Sequence, residues 1–356
     1  MLFWEMGSLL TLLILLKLSR GAVVRQKLRR YDYTSGEFFA FDPDDAENLS
    51  LVTSRLQTVS ATMDGLSVGK RLSAIRGAMD SFFADVKIAS DIHQIDANGV
   101  SAEWVLTGNI DPKKRFLYIH GGAFCAGSPL SHRSITSRLS EVTGSAVLSI
   151  DYRLMPENDR QDAMLDCRNT YRFLLDNGPD GRTPAKTVFI GGDSAGGNLT
   201  LSLMAWLRDS GWQVPHAVVA LSPLTDSTLD SPSFTDNFSS DLILKTLFKL
   251  LNRVPSFLYG LLFFLTNKIS IHDPSVSPLL GDLSKMPPLL IQVSDNEMLF
   301  DDACRYANKA REAGSPVCLQ RWQSMPHVFQ IFHPSLSSAT RALDEIAQFC
   351  QTHSAS

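Results

Sequence analysis

Thr187-Val188-Phe189-Ile190-Gly191-Gly192-Asp193-Ser194-Ala195-Gly196-Gly197-Asn198-Leu199 decides how this chain reads. A short β-prone run leads into it, and an apolar stretch of helical character leaves it toward Trp206. A serine between Gly192 and Gly196 at a strand-to-helix corner reads as an elbow. The turn there is too tight for side chains at the flanking positions, and its strain lifts the hydroxyl clear of the sheet. A G-x-S-x-G pattern arises by chance in roughly one chain in ten of this length. The surrounding sequence therefore has to carry the assignment.

Upstream, Arg115-Phe116-Leu117-Tyr118-Ile119 reads as a buried strand running into His120-Gly121-Gly122-Ala123-Phe124. Consecutive glycines let bare backbone N–H groups point into a cavity, which is what a tetrahedral oxyanion needs. The amides of Gly121, Gly122 and Ala195 are the candidate donors. Downstream, the strand Pro288–Val293 is followed by Ser294-Asp295-Asn296-Glu297, and the strand Val317–Trp322 ends near Met325-Pro326-His327-Val328. A serine hydroxyl is a poor nucleophile until a base takes its proton, and that base needs an acid to orient it. Ser194, then an acid, then His327 is a workable chain order. His327 is preferred to His333 because it sits on a loop just past a strand. The acid stays open between Glu297 and Asp295, which share one loop. Asp301 and Asp302 suit the start of the next helix, where carboxylates meet the positive end of the dipole.

These stretches resemble the hormone-sensitive-lipase family of α/β-hydrolases, which includes arylacetamide deacetylases and many microbial carboxylesterases. The matching residues are His120-Gly121-Gly122-Ala123-Phe124, Asp151-Tyr152-Arg153-Leu154-Met155-Pro156-Glu157, Gly192–Asn198, Asp273-Pro274-Ser275 with Ser277-Pro278-Leu279, and the His327 loop. The family's acid opens a D-P-L-x-D motif, and the register here is Glu297-Met298-Leu299-Phe300-Asp301. The resemblance favours Glu297, with Asp295 as the alternative. It implies a serine carboxylic-ester hydrolase working through an acyl-enzyme on small to medium lipophilic esters, with no cofactor and no metal. Acyl transfer, lactonase or cyclisation chemistry on the same triad, and a non-catalytic ligand receptor, are the competing readings.

Composition agrees. The 356 residues can hold one large α/β domain with an elaborated lid. A net charge of −4 gives no electrostatic footprint for nucleic acid. The five cysteines have no zinc or disulfide spacing, which suggests a reduced setting. Alternating strand and helix patterns predict a mostly parallel eight-stranded sheet flanked by helices, and the resemblance implies a helical cap over it. The predicted strands are Val86–Ile95, Val100–Leu106, Phe116–Ile119, Ala146–Ile150, Val188–Ile190, Val218–Leu221, Leu289–Val293 and Val317–Trp322. The expected layout is an anchor with basic flank at 1–30, an N-terminal cap segment at 31–85, core at 86–224, a cap insertion at 225–271 and core again at 272–356. The stretch from about Phe38 to Phe83 reads as helical. The insertion contains the apolar run Phe257–Leu265.

Residues 1–18 are strongly apolar with only Glu5 and Lys17 charged, and Arg20, Arg25, Lys27, Arg29 and Arg30 follow. That predicts membrane association through residues 1–20 as a single-pass anchor, borderline against the ~20 residues a span takes. The positive-inside rule puts the catalytic part in the cytoplasm, whereas resemblance to anchored deacetylases implies an endoplasmic-reticulum or other endomembrane protein facing the lumen. The sequence carries no reading of oligomeric state.

Overall fold

The computed structural model describes residues 26–82, 86–248 and 256–354. Its frame is a sheet of nine strands in the order β1-β11-β10-β9-β8-β4-β5-β3-β2. The strands are β1 (Glu37–Phe39), β2 (Asp91–Asp96), β3 (Ser101–Leu106), β4 (Asp111–Ile119), β5 (Ser145–Ile150), β8 (Thr187–Asp193), β9 (Ala217–Leu221), β10 (Leu289–Ser294) and β11 (Val317–Trp322). A separate two-stranded ribbon joins β6 (Asn177–Gly178) to β7 (Gly181–Arg182). Every pairing from β1 to β5 across the large sheet is parallel, and only β5·β3 and β3·β2 are antiparallel.

Burial on both faces explains why the central strands are continuous apolar runs rather than alternating ones. Along β4, Leu117 and Ile119 join one core cluster while Phe116 and Tyr118 join the other. The first cluster is covered by α4 (Arg160–Asp176), α5 (Ser194–Asp209) and α9 (Phe300–Glu312), through residues such as Tyr171, Leu203 and Ala307. The second is covered by α3 (Arg133–Thr143) and α10 (Ser337–Thr352), through Leu139 and Leu343.

Two differences from the sequence reading concern the edges. The stretch read as helical from about Phe38 begins instead with strand β1, which pairs with β11 and gives the sheet its ninth strand. Three residues are too few to show a β period, and Trp322 stacking on Phe39 at 4.2 Å supplies the contact that holds them. At the other edge β2 starts at Asp91, so residues 86–89 of the expected first strand are irregular.

Helices α1 (Ala46–Thr62) and α2 (Val68–Phe82) follow, and both line the cavity at Ser194, just past the carboxyl end of β8. The insertion supplies α6 (Pro232–Asp236), α7 (Leu242–Phe248) and α8 (Ser256–Asn267). Helix α8 leaves Leu261, Phe264 and Leu265 exposed. Among the described residues no helix is long and apolar enough to cross a membrane. The expected single-pass anchor therefore finds no support, and residues 1–20, on which it rested, lie outside the described residues.

Candidate active site

Strand β8 ends at Asp193 and α5 begins at Ser194, whose φ of +52° is rare for a residue with a side chain. The corner closes because its flanks lack Cβ atoms: one on Gly192 would lie 2.3 Å from the Ile119 carbonyl oxygen, and one on Gly196 only 2.0 Å from it. Ser194 thus stands at the end of a central strand with its hydroxyl free to meet a partner from another loop.

That partner is His327. Its Nε2 lies 2.9 Å from Ser194 Oγ, and its Nδ1 is hydrogen-bonded to Glu297 Oε2. All three side chains are buried. The second Glu297 oxygen accepts from the Ser294 amide at 2.6 Å and from Ser222 Oγ at 2.8 Å. The carboxylate is therefore fixed on both oxygens. Burial alone would lower the His327 pKa, but the Glu297 charge and hydrogen bond outweigh it and raise it above 6.5.

Asp295 does not meet the imidazole. Its amide donates to Trp322 O at 3.1 Å, and its Oδ1 accepts from the Ser324 amide at 2.8 Å. It closes the turn after β11, so the alternative acid is corrected to a structural role. His333 is bonded to Thr340 Oγ1 at 2.8 Å. Asp301 and Asp302 do open α9, but their carboxylates also hold the cap: Asp301 accepts from the Ser233 amide at 2.7 Å and Asp302 from the Thr225 amide at 2.8 Å.

The candidate oxyanion donors divide. Gly122 and the next residue, Ala123, line the same cavity as Ser194 and His327. Gly121 is a correction: its N–H donates to Asp193 Oδ1 at 3.0 Å and is not free for a substrate. Asp193 is the hub of a buried network that sequence reasoning missed. Tyr118 Oη donates to its Oδ1 at 2.7 Å, and His132 Nε2 lies 3.3 Å from its Oδ2. Burial alone would raise the Asp193 pKa, but the charge and hydrogen bond of His132 overcome it and lower the value. The only sequence signal for this network is that Asp193 adjoins the serine.

The cavity running from Ser194 is apolar and holds about 160 Å³. Val59 of α1 and Met63 just past its end, Met79 and Phe82 of α2, and Leu244 and Leu247 of α7 form its walls, with Val328 and Ile331 below. Among the described residues no cluster of histidine, cysteine or carboxylate side chains could hold a metal ion. All five cysteines are free.

A family profile described as the alpha/beta hydrolase fold matches residues 116–331. A crystal structure of an esterase from the bacterial hormone-sensitive lipase family superposes with a TM-score of 0.73 and 30% identity, covering 86% of this chain and 98% of that one. The chain belongs to the hormone-sensitive-lipase family of α/β-hydrolases. It is 37% identical to an acetyl-hydrolase of Streptomyces hygroscopicus, over 71% of this chain and 80% of the relative. It is 35% identical to an esterase of Acinetobacter venetianus, over 65% of this chain and 73% of the relative. The protein is an ester hydrolase of the carboxylesterase type. These relatives are bacterial esterases, and the endomembrane location expected from the anchored deacetylases is withdrawn.

Proposed function

We propose that Ser194 is the nucleophile, His327 the general base and Glu297 the acid of a hydrolase for small to medium lipophilic esters. The observation that carries the reading is the continuous path from Ser194 Oγ to His327 Nε2 at 2.9 Å, and on from Nδ1 to Glu297. As Ser194 Oγ attacks the ester carbonyl, its proton passes to His327 Nε2, and the carbonyl π pair moves onto oxygen. The oxyanion is met by the amides of Gly122, Ala123 and Ala195. Ala195 is the second residue of α5, where the N–H has no intrahelical partner. Collapse of the adduct breaks the bond to the alcohol oxygen, which takes the proton from His327. Water, deprotonated by the same imidazole, then releases the carboxylic acid and restores Ser194. Glu297 stabilises the imidazolium and keeps its Nδ1 proton oriented.

The lipophilic preference rests on the cavity lining, since a charged group placed against Met79, Phe82 and Leu247 would lose its water without gaining a partner. Hydrolysis of p-nitrophenyl butyrate by wild type and by Ser194→Ala tests the reading. The variant is expected to lose at least about three orders of magnitude in kcat, and a variant of unchanged rate would reject the assignment.

A further inference from the structure

Arg160 is placed where local physics disfavours it. It is the first residue of α4, so a cation sits at the positive end of a helix dipole. Its side chain is buried, at 2% exposure, and Nε has no hydrogen-bond partner. Burial pushes the guanidinium down to about 9, with Tyr259 and Tyr152 pulling weakly the other way. The nearby carboxylates of Asp159 and Asp162 accept from backbone amides of their own turn in a capping box, and the other Asp162 oxygen pairs with Arg153 at 2.7 Å. A residue that breaks local rules this consistently marks a position held for another reason.

Its contacts supply that reason. The guanidinium carbon lies 3.5 Å from the centroid of the Phe124 ring, and Nη2 donates to Asn198 Oδ1 at 2.6 Å. Phe124 follows Gly122 and Ala123 in the loop, and both Ala123 and Phe124 hold positive φ values, 53° and 63°. Such a loop keeps its shape only if something outside it fixes it. Asn198 sits one turn beyond Ser194 on α5, and its Nδ2 is anchored to the carbonyls of Leu224 and Val276 at 2.8 and 3.0 Å. One planar group thus spans from the loop that carries the Gly122 and Ala123 amides to the helix that carries the Ala195 amide.

We propose that Arg160 is a positioning residue that sets the separation between the two halves of the oxyanion hole, by clasping the Phe124 ring and the Asn198 amide in one rigid plane. The inference rests on the hydrolase reading of Ser194. Arg160 touches neither substrate nor reacting atoms, so its effect belongs to the transition state and not to ester binding.

The test compares wild type with Arg160→Met, Arg160→Lys and Phe124→Leu on p-nitrophenyl butyrate. It adds inhibition by an alkyl trifluoromethyl ketone, which forms a tetrahedral adduct, and by the matching secondary alcohol, which cannot. Melting temperatures fix a working temperature at which each variant is folded. Arg160→Met is expected to lose about 10–100-fold in kcat, less than the roughly 10²–10³ that removing an oxyanion donor outright costs, with KM within about twofold of wild type. The ketone should weaken by the same factor and the alcohol should not. Arg160→Lys should recover only part of the loss, because an ammonium cannot both cover the ring and reach Asn198. Phe124→Leu should reproduce the ketone-selective defect from the other side of the clasp. Unchanged kcat in folded Arg160→Met, or equal weakening of ketone and alcohol, would overturn the proposal. Full activity of Ser194→Ala in the same assay would instead sink the underlying hydrolase reading, whatever Arg160 does.

Discussion

His327 is buried between a hydroxyl and a carboxylate, and this sets its titration. The neutral imidazole is the working base, so kcat/KM rises as the folded-state proton leaves. Because Glu297 raises that pKa above 6.5, the acidic limb of the wild-type profile should have its midpoint above pH 6.5. Glu297→Gln removes the main charge that does the raising and leaves burial, the largest influence and opposite in direction, against only the smaller pull of Asp241 and Asp193. Its limb should move to lower pH, and its plateau kcat should fall by an order of 10⁴. Asp295→Asn should change kcat less than about threefold, since that carboxylate meets the Ser324 amide and not the imidazole. Stopped assays from pH 5 to 9 on both variants would decide this. A larger loss in Asp295→Asn, or an unshifted limb in Glu297→Gln, would reverse the assignment.

At the scale of elements, the acid loop is held by the cap insertion as well as by the core. Asn237 Nδ2 donates to the carbonyls of Asp295 and Glu297 at 3.0 and 2.9 Å, and Ser240 Oγ donates to Asn296 O at 3.0 Å. Asp241 accepts from the Met298 amide at 2.9 Å while its other oxygen accepts from the Leu244 amide, also at 2.9 Å, inside α7. The helix that walls the cavity and the loop that presents Glu297 therefore share one side chain. Asn237→Ala should cost about 1–3 kcal/mol, because two carbonyls lose their donor. It should also lower kcat, because the carboxylate loses part of its support. Urea unfolding together with steady-state kinetics reads both effects, and a destabilised variant of wild-type kcat would show that the cap does not orient the acid. The same logic applies on the N-terminal side. Arg76 of α2 donates to the Cys125 and Met155 carbonyls at 2.7 and 2.9 Å and pairs with Glu157 at 2.8 Å, tying that cap helix to the end of the oxyanion loop.

Over the whole molecule, the cavity is a joint product of segments far apart in the chain. Helices α1 and α2 lie between β1 and β2, α7 comes from the insertion, and Val328 and Ile331 follow His327. Ser60 and Thr246 bridge α1 to α7 across the cavity wall at 2.9 Å. Pocket length is therefore set by cap packing. Leu247→Trp should fill the far wall and lower kcat/KM for p-nitrophenyl octanoate about tenfold more than for the acetate, the scale on which an apolar pocket discriminates chain length. Equal effects on both esters would place the acyl chain elsewhere.

The elbow, the glycine loop, the order of serine, acid and histidine, and the parallel sheet were all legible along the chain. Each is a local matter of backbone allowance or apolar period, and short windows of residues encode those directly. Glu297 over Asp295 was favoured only through the family register and left open by the residues themselves, because two carboxylates two residues apart differ only in which neighbouring strand's loop each one faces. Gly121 was misread for a related reason: whether an amide is free depends on a carboxylate at Asp193, brought across the sheet by strand pairing. Strand β1, the Arg160 clasp and the cavity walls likewise exist only through contacts between distant segments. The sequence by itself determined the class of fold and the chemistry on offer. The tertiary structure decided which donors, acid and walls were placed to perform it, because hydrogen-bond partnership and burial belong to pairs of residues in space and not to positions in a chain.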